Sequence, residues 1–157
     1  MKRLRILQIF SRYLEYGGEE HIAGRIEDAL ADRHEMFRYA GSSQQLFSGS
    51  PFHRAMIPWN TFYNIQVAKD LRRHQEQNRH DLWVIHNVFP ALSPSVYKVA
   101  RDLKVPLIHF LHNYRMSCAN GYFLNHGKNC QRCAQGNFWP ALATACWRDS
   151  RVISGWM

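Results

Sequence analysis

The sequence predicts a doubly wound parallel α/β sheet, on three observations. Apolar runs of strand length alternate with helix-length amphipathic segments along most of the chain. Two of the runs, Leu82–Ile85 and Pro106–Leu111, flank a helical pattern from Ser93 to about Lys104. A strand–helix–strand crossover of this kind makes its two strands parallel neighbours. Both runs also stop at the same dipeptide, His86-Asn87 and His112-Asn113. Two polar pairs are therefore expected at the carboxyl edge of one sheet, where open α/β sheets bind ligands.

The elements follow in order. Leu4 to Phe10 (LRILQIF) is an apolar run and reads as the first buried strand. Ser11 to Gly18 (SRYLEYGG) is a loop closing on two glycines. From Glu19 to about His34, Ile22, Ile26, Ala29 and Leu30 share one helical face, with acids in the first turn where the helix dipole favours them. Glu35 to Ala40 is a weaker strand. Gly41 to Asn60 has no clear period and is read as a long loop. Thr61 to about Asn78 is helical again, with Phe62, Ile65, Val67, Ala68 and Leu71 as its apolar positions. Ser93 and Pro94 supply the cap and first-turn residues of the crossover helix. The expectation is four parallel strands, with a fifth left open.

A chain of 157 residues suits one well-buried domain, here with a Cys-rich subregion over residues 115–150. Charged residues at 20% and hydrophobic residues at 46% exclude a disordered chain. No apolar run reaches the length of a membrane span and no signal peptide precedes Lys2-Arg3-Leu4, so a cytoplasmic chain is expected. A net charge of +8 favours anionic partners: nucleic acid, phosphorylated small molecules or an anionic lipid surface. The basic residues are scattered and form no nucleic-acid motif, so no nucleic-acid partner is expected.

Three sets of residues are candidates for chemistry. Gly17-Gly18, between a strand and a helix, allows a tight turn and close approach of a ligand to the main chain. The helix amino terminus that follows can receive a phosphate, although GxGxxG is absent and a plain turn is the other reading. At the two His-Asn edges, a histidine can donate to a sugar hydroxyl or phosphate oxygen or act as a base. The asparagine can hold the loop through backbone groups. A loop-stabilising role for either pair stands beside the ligand role. His112 is the better substrate-facing residue, because it precedes the polar loop Asn113-Tyr114-Arg115.

The third set is Cys118, Cys130, Cys133 and Cys146, all in the last forty residues. Cys130-Gln131-Arg132-Cys133 has the spacing of a metal knuckle, and one cysteine on each side completes a set of four. Reduced thiols in a turn-rich segment point to a structural zinc, with Fe–S ligation or disulfide-prone thiols as alternatives. Phe138, Trp139, Trp147 and Trp156 also gather near the carboxyl terminus. They either cover the sheet or form a surface for a second domain, a partner or a lipid interface.

Several stretches resemble the amino-terminal domain of family 4 glycosyltransferases, retaining enzymes of GT-B architecture. They are Ile6-Leu7-Gln8-Ile9-Phe10, Gly17-Gly18-Glu19-Glu20, His86-Asn87-Val88-Phe89-Pro90, Leu92-Ser93-Pro94-Ser95, His112-Asn113-Tyr114-Arg115, Cys118-Ala119-Asn120-Gly121 and Cys130-Gln131-Arg132-Cys133. The match spans nearly the whole chain and is weakest from Gly41 to Trp59. The resemblance implies a Rossmann-like domain that binds mainly the acceptor, a glycan or lipid-linked molecule in surface polysaccharide or glycolipid synthesis. A second domain or subunit would bind most of the nucleotide-sugar donor. It implies that Gly17 and Gly18 approach the donor diphosphate and that His112 contacts the transferred sugar as the catalytic residue. His86, Asn87, Asn113 and Arg115 would shape the donor and substrate pocket. No metal would enter the chemistry, so any zinc would be structural. The second domain is missing from the sequence, so negligible transferase activity is expected of these residues alone. On the transferase reading, a lipid-linked acceptor would place the chain peripherally at the inner membrane face; the alternative reading is a non-catalytic zinc-stapled binding module or one subunit of a split transferase.

Overall fold

The computed structural model describes residues 2–12, 18–42, 57–89 and 91–156. They belong to two compact units, Met1–Phe110 and Leu111–Met157.

The first unit runs β1 (Arg5–Arg12), α1 (Gly18–Leu30), β2 (Glu35–Ser42), α2 (Ile57–Phe62), α3 (Ile65–Asn78), β3 (Leu82–Ile85), α4 (Ser95–Asp102) and β4 (Leu107–His109). Its strands form one sheet in the order β2-β1-β3-β4, and every neighbouring pair is parallel. The expected mixed α/β architecture with four parallel strands is thus present.

Strand alternation explains why helices cover both faces. In β1, Leu7 and Ile9 point into a core that also holds Val67, Leu71, Trp83, Ile85 and Val99, so α3 and α4 cover that face. Gln8, one residue out of phase, reaches the Ala23 carbonyl of α1 at 3.0 Å on the other face.

The structure redraws several boundaries. The single helix expected from Thr61 to Asn78 is two helices, because Asn64 caps the second of them. Its backbone is extended and its side chain accepts from the Val67 N–H at 3.1 Å. The Asn64 N–H in turn donates to Ser93 Oγ at 2.9 Å. Ser93 is not helical but has φ +72°, and its hydroxyl is used by Ser95, so α4 starts two residues later than expected. β4 ends at His109, although the Phe110 N–H still donates to the Ile85 carbonyl at 2.7 Å. In the expected loop from Gly41 to Asn60, β2 continues through Ser42 and α2 begins at Ile57; residues 43–56 lie outside the described residues. Gly41 is a glycine for packing, since a Cβ there would overlap the buried Leu92 side chain.

The second unit is built from turns. β5 (Leu124–Asn125) and β6 (Lys128–Asn129) form a two-stranded antiparallel hairpin. Its two linking residues, His126 (φ +47°) and Gly127 (φ +75°), are both left-handed, as a tight hairpin turn requires. Two short helices follow, α5 (Trp139–Ala143) and α6 (Arg151–Trp156). Among the described residues, a small buried cluster of this unit holds Ala119, Cys133 and Ala141, with Cys146 packed against them.

Candidate functional site

The strand order reverses at β1. The chain leaves β1 through α1 to β2 on one side, while β3 lies on the other, so β1 and β3 diverge in connection at their carboxyl ends. Such a reversal opens a crevice in doubly wound sheets. Here the two ends are joined by the Ser11 N–H donating to the Asn87 carbonyl at 2.7 Å and the His86 N–H donating to the Ile9 carbonyl at 2.9 Å.

His86 is placed inside the sheet unit rather than on an open edge. Its side chain is fully buried, 2.9 Å from Gln8 Oε1, with the ring edge-on to Phe10 and tilted against Phe110. The Gln8 amide nitrogen donates to Ala23, so Oε1 is the acceptor and His86 carries its proton on Nε2. The pair therefore bridges β3, β1 and α1. Gln8→Leu keeps the volume but strands two polar groups, and is expected to lower unfolding free energy by about 2 kcal/mol. Urea denaturation at neutral pH reads this directly, and a loss below about 0.5 kcal/mol would show the pair to be dispensable.

Asn87 is half-buried and links β3 to α1. Its Oδ1 accepts from the Phe89 N–H at 3.0 Å, an Asx turn, and its Nδ2 donates to Glu19 Oε1 at 3.3 Å. Glu19 lies beside Gly18, the exposed first residue of α1, around which a Cβ would meet nothing. Gly17 lies outside the described residues. The first turn of α1 carries a second carboxylate, Glu20, which is buried and paired with Arg12 Nε at 2.8 Å. The structure thus brings His86, Asn87 and Gly18 together around the β1 and β3 ends.

His112, Asn113 and Arg115 belong to the second unit. Asn113 Oδ1 accepts from the Arg115 N–H at 3.1 Å, and the Tyr114 N–H donates to the Gly121 carbonyl at 3.0 Å. Gly121 has φ +80°, and a Cβ there would press on Arg115 Cγ at 3.1 Å. The Arg115 guanidinium stacks 4.7 Å from the Trp147 ring. This polar loop is held by its own backbone pattern, with His112 half-buried at its start.

The four cysteines line one cavity, together with Leu124, Pro140, Ala141 and Thr144 among others. None is in a disulfide. Asn120 lies between two of them: its Oδ1 accepts from Cys118 Sγ at 3.1 Å and its Nδ2 donates to Cys146 Sγ at 3.2 Å. Arg132 Nε donates to Cys130 Sγ at 3.4 Å. That side-chain bond, and then the Arg132 backbone N–H, hold the Cys130 thiol below its ordinary range. Burial, followed by the nearby sulfurs, pushes the Cys146 thiol up. Among the described residues, no group of three or more His, Cys, Asp or Glu side chains is arranged, as it stands, to hold a metal ion.

Two histidine clusters escaped the sequence reading. His80 Nε2 lies 2.9 Å from His74 Nδ1, with the rings stacked at 4.9 Å, and Phe37 meets His80 edge-on. His109, at the end of β4, lies 3.3 Å from the Tyr97 hydroxyl; burial lowers the His109 pKa and pushes that of Tyr97 up to about 12. Histidines carry no periodicity of their own, so nothing local marks these pairs. Gln8 had a signal, as the one polar residue inside ILQIF.

No helix among the described residues is long and apolar enough to cross a membrane. No family model matches the chain, and comparison with curated proteins and with solved structures returned no match.

Proposed function

We propose that this chain is the acceptor-side part of a retaining glycosyltransferase, which moves a sugar from a nucleotide-sugar to a glycan or lipid-linked acceptor. The observation that carries the reading is the reversal of strand order at β1. It sets Asn87, two residues beyond β3, against the first turn of α1, beside Gly18, at a sheet edge suited to a phosphorylated ligand. The pairing of Glu20 with Arg12 supports it, since that carboxylate's charge is balanced at the helix end. In this reading the Gly18 backbone N–H, at the start of α1, donates to a diphosphate oxygen. His86 acts from beneath, holding β1, β3 and α1 in place. Catalysis is positioning and charge stabilisation, with no metal in the chemistry. A donor-binding domain or subunit completes the site, and the net charge of +8 favours a phosphorylated acceptor at an anionic membrane surface.

Amide NMR of the full chain, titrated with uridine and guanosine diphosphate-sugars, tests the reading. Shifts concentrated at Gly18, Glu19 and Asn87 are expected. Shifts scattered over the basic surface, or none at millimolar ligand, would remove it. Sedimentation with anionic and neutral vesicles tests the membrane partner separately: equal recovery with both would discard it.

A further inference from the structure

We propose that Cys118, Cys130, Cys133 and Cys146 bind one Zn²⁺ that staples the second unit together, with Asn120 and Arg132 orienting the sulfurs. Four separate pieces of backbone deliver the ligands. Cys118 opens a turn closed by the Gly121 N–H donating to its carbonyl at 2.9 Å. Cys130 directly follows the hairpin, and its N–H donates to the Phe123 carbonyl at 2.8 Å. Cys133 accepts at its carbonyl from the Gly136 N–H, and Gly136 has the left-handed φ of +84° that this turn needs. Cys146 follows α5, with its N–H donating to the Ala141 carbonyl at 3.0 Å. Residues up to 28 positions apart in sequence are thus turned toward one cavity of about 10 Å³, room for roughly one water-sized particle.

The small core of this unit favours such a staple. A unit of under about 50 residues normally needs disulfides or a metal, and this one has a core of Ala119, Cys133 and Ala141. Its cysteines are free rather than bridged. Four soft sulfur donors suit Zn²⁺, and a full set of four protein ligands closes the shell, so the ion is structural. The sulfurs also carry the outer hydrogen bonds typical of such ligands. Asn120 Nδ2 donates to Cys146, Arg132 Nε donates to Cys130, and the Arg132 backbone N–H donates to the same sulfur. As they stand, the four sulfurs do not form a shell among the described residues. Binding releases four thiol protons to solvent, and rotation about the Cα–Cβ bonds brings the thiolates onto the ion. The Cys118 S–H bond to Asn120 is lost in that step. The resulting site carries two net negative charges, which Arg132 partly offsets.

The test is native mass spectrometry of the full chain, with thiol titration and the absorption spectrum of the cobalt-substituted protein. We expect one zinc per chain, lost on chelation, four titratable thiols after its release, and thiolate-to-cobalt bands of a tetrahedral site. Cys118→Ser and Cys133→Ser should each lose the stoichiometric metal. Arg132→Ala, an exposed position, should keep it with roughly tenfold weaker affinity. A folded, metal-free chain from zinc-supplemented cells, bound iron in place of zinc, two disulfides, or zinc retained by Cys133→Ser would each overturn the proposal. Unchanged affinity in Arg132→Ala would remove the role of that side chain. The nucleotide-sugar titration reads amides of the first unit, so either proposal can fail without the other.

Discussion

Trp83→Ala is expected to cost the sheet unit about 3–5 kcal/mol, a large share of the whole stability of a domain this size. Trp83 stands in the middle of β3, fully buried, with neighbours on both sides in the sheet: it is in register with Leu7 of β1 and Leu107 of β4. Its ring fills the core beneath α3, and its Nε1–H donates to Gln75 Oε1 at 3.0 Å. Truncation removes the packing, leaves a cavity, and strands that acceptor. Gln75 also donates to the His80 carbonyl at 3.0 Å, so the damage reaches the end of α3. Trp83→Phe keeps most of the apolar contact and is expected to lose less, about 1–3 kcal/mol. Urea unfolding followed by far-ultraviolet circular dichroism measures both, because it does not depend on the tryptophan signal. A loss below about 1 kcal/mol for the alanine variant would mean that β3 is not the centre of this core.

Acidification is expected to weaken the fold between pH 6.5 and 4 through His80. Burial, then the neighbouring His74 and Arg5, push the His80 pKa down to about 4, and Asp81 opposes them. His80 Nδ1 is buried without a hydrogen-bond partner, so protonation there would place a charge in the core. The unfolded chain binds this proton near pH 6.5 while the folded chain refuses it until about pH 4. Stability is therefore full above pH 6.5, falls as pH drops through that window, and is flat in this group below it. The loss is at most about 3 kcal/mol. His74, also lowered by burial, acts in the same direction. Asp81, held below its ordinary value first by the Arg5 backbone N–H and then by Lys2, loses its contribution at lower pH, outside this window. Denaturant midpoints measured from pH 7.5 to 4 should show the decline in the native chain, and His80→Phe should flatten it. An equal decline in that variant would assign the acid sensitivity elsewhere.

Much of the fold was legible because its signals are local. The strands LRILQIF and LWVI are apolar runs bounded by polar residues, and a helix between parallel strands leaves few topologies open. Thr61 to Asn78 read as one helix because Asn64 caps only when its backbone turns extended, and Ser93, 29 positions away, takes its N–H. The convergence of the cysteines was partly visible in the knuckle spacing. What places Cys130 at its end of the cavity is the His126-Gly127 turn, whose two left-handed residues set the hairpin register.

The His-Asn edges mark where local reading stops. Both pairs follow apolar runs, yet His86 turns inward to Gln8, 78 positions away, and β4 stops at His109 before His112 is reached. By itself the sequence determined the alternation of strands and helices, and hence a parallel sheet wound on both faces, along with a candidate set of four cysteines. Tertiary structure alone decided which polar side chains are buried partners and which face outward. Periodicity states the face on which a residue lies, but a buried polar group is stable only where another part of the chain brings it a hydrogen-bond partner.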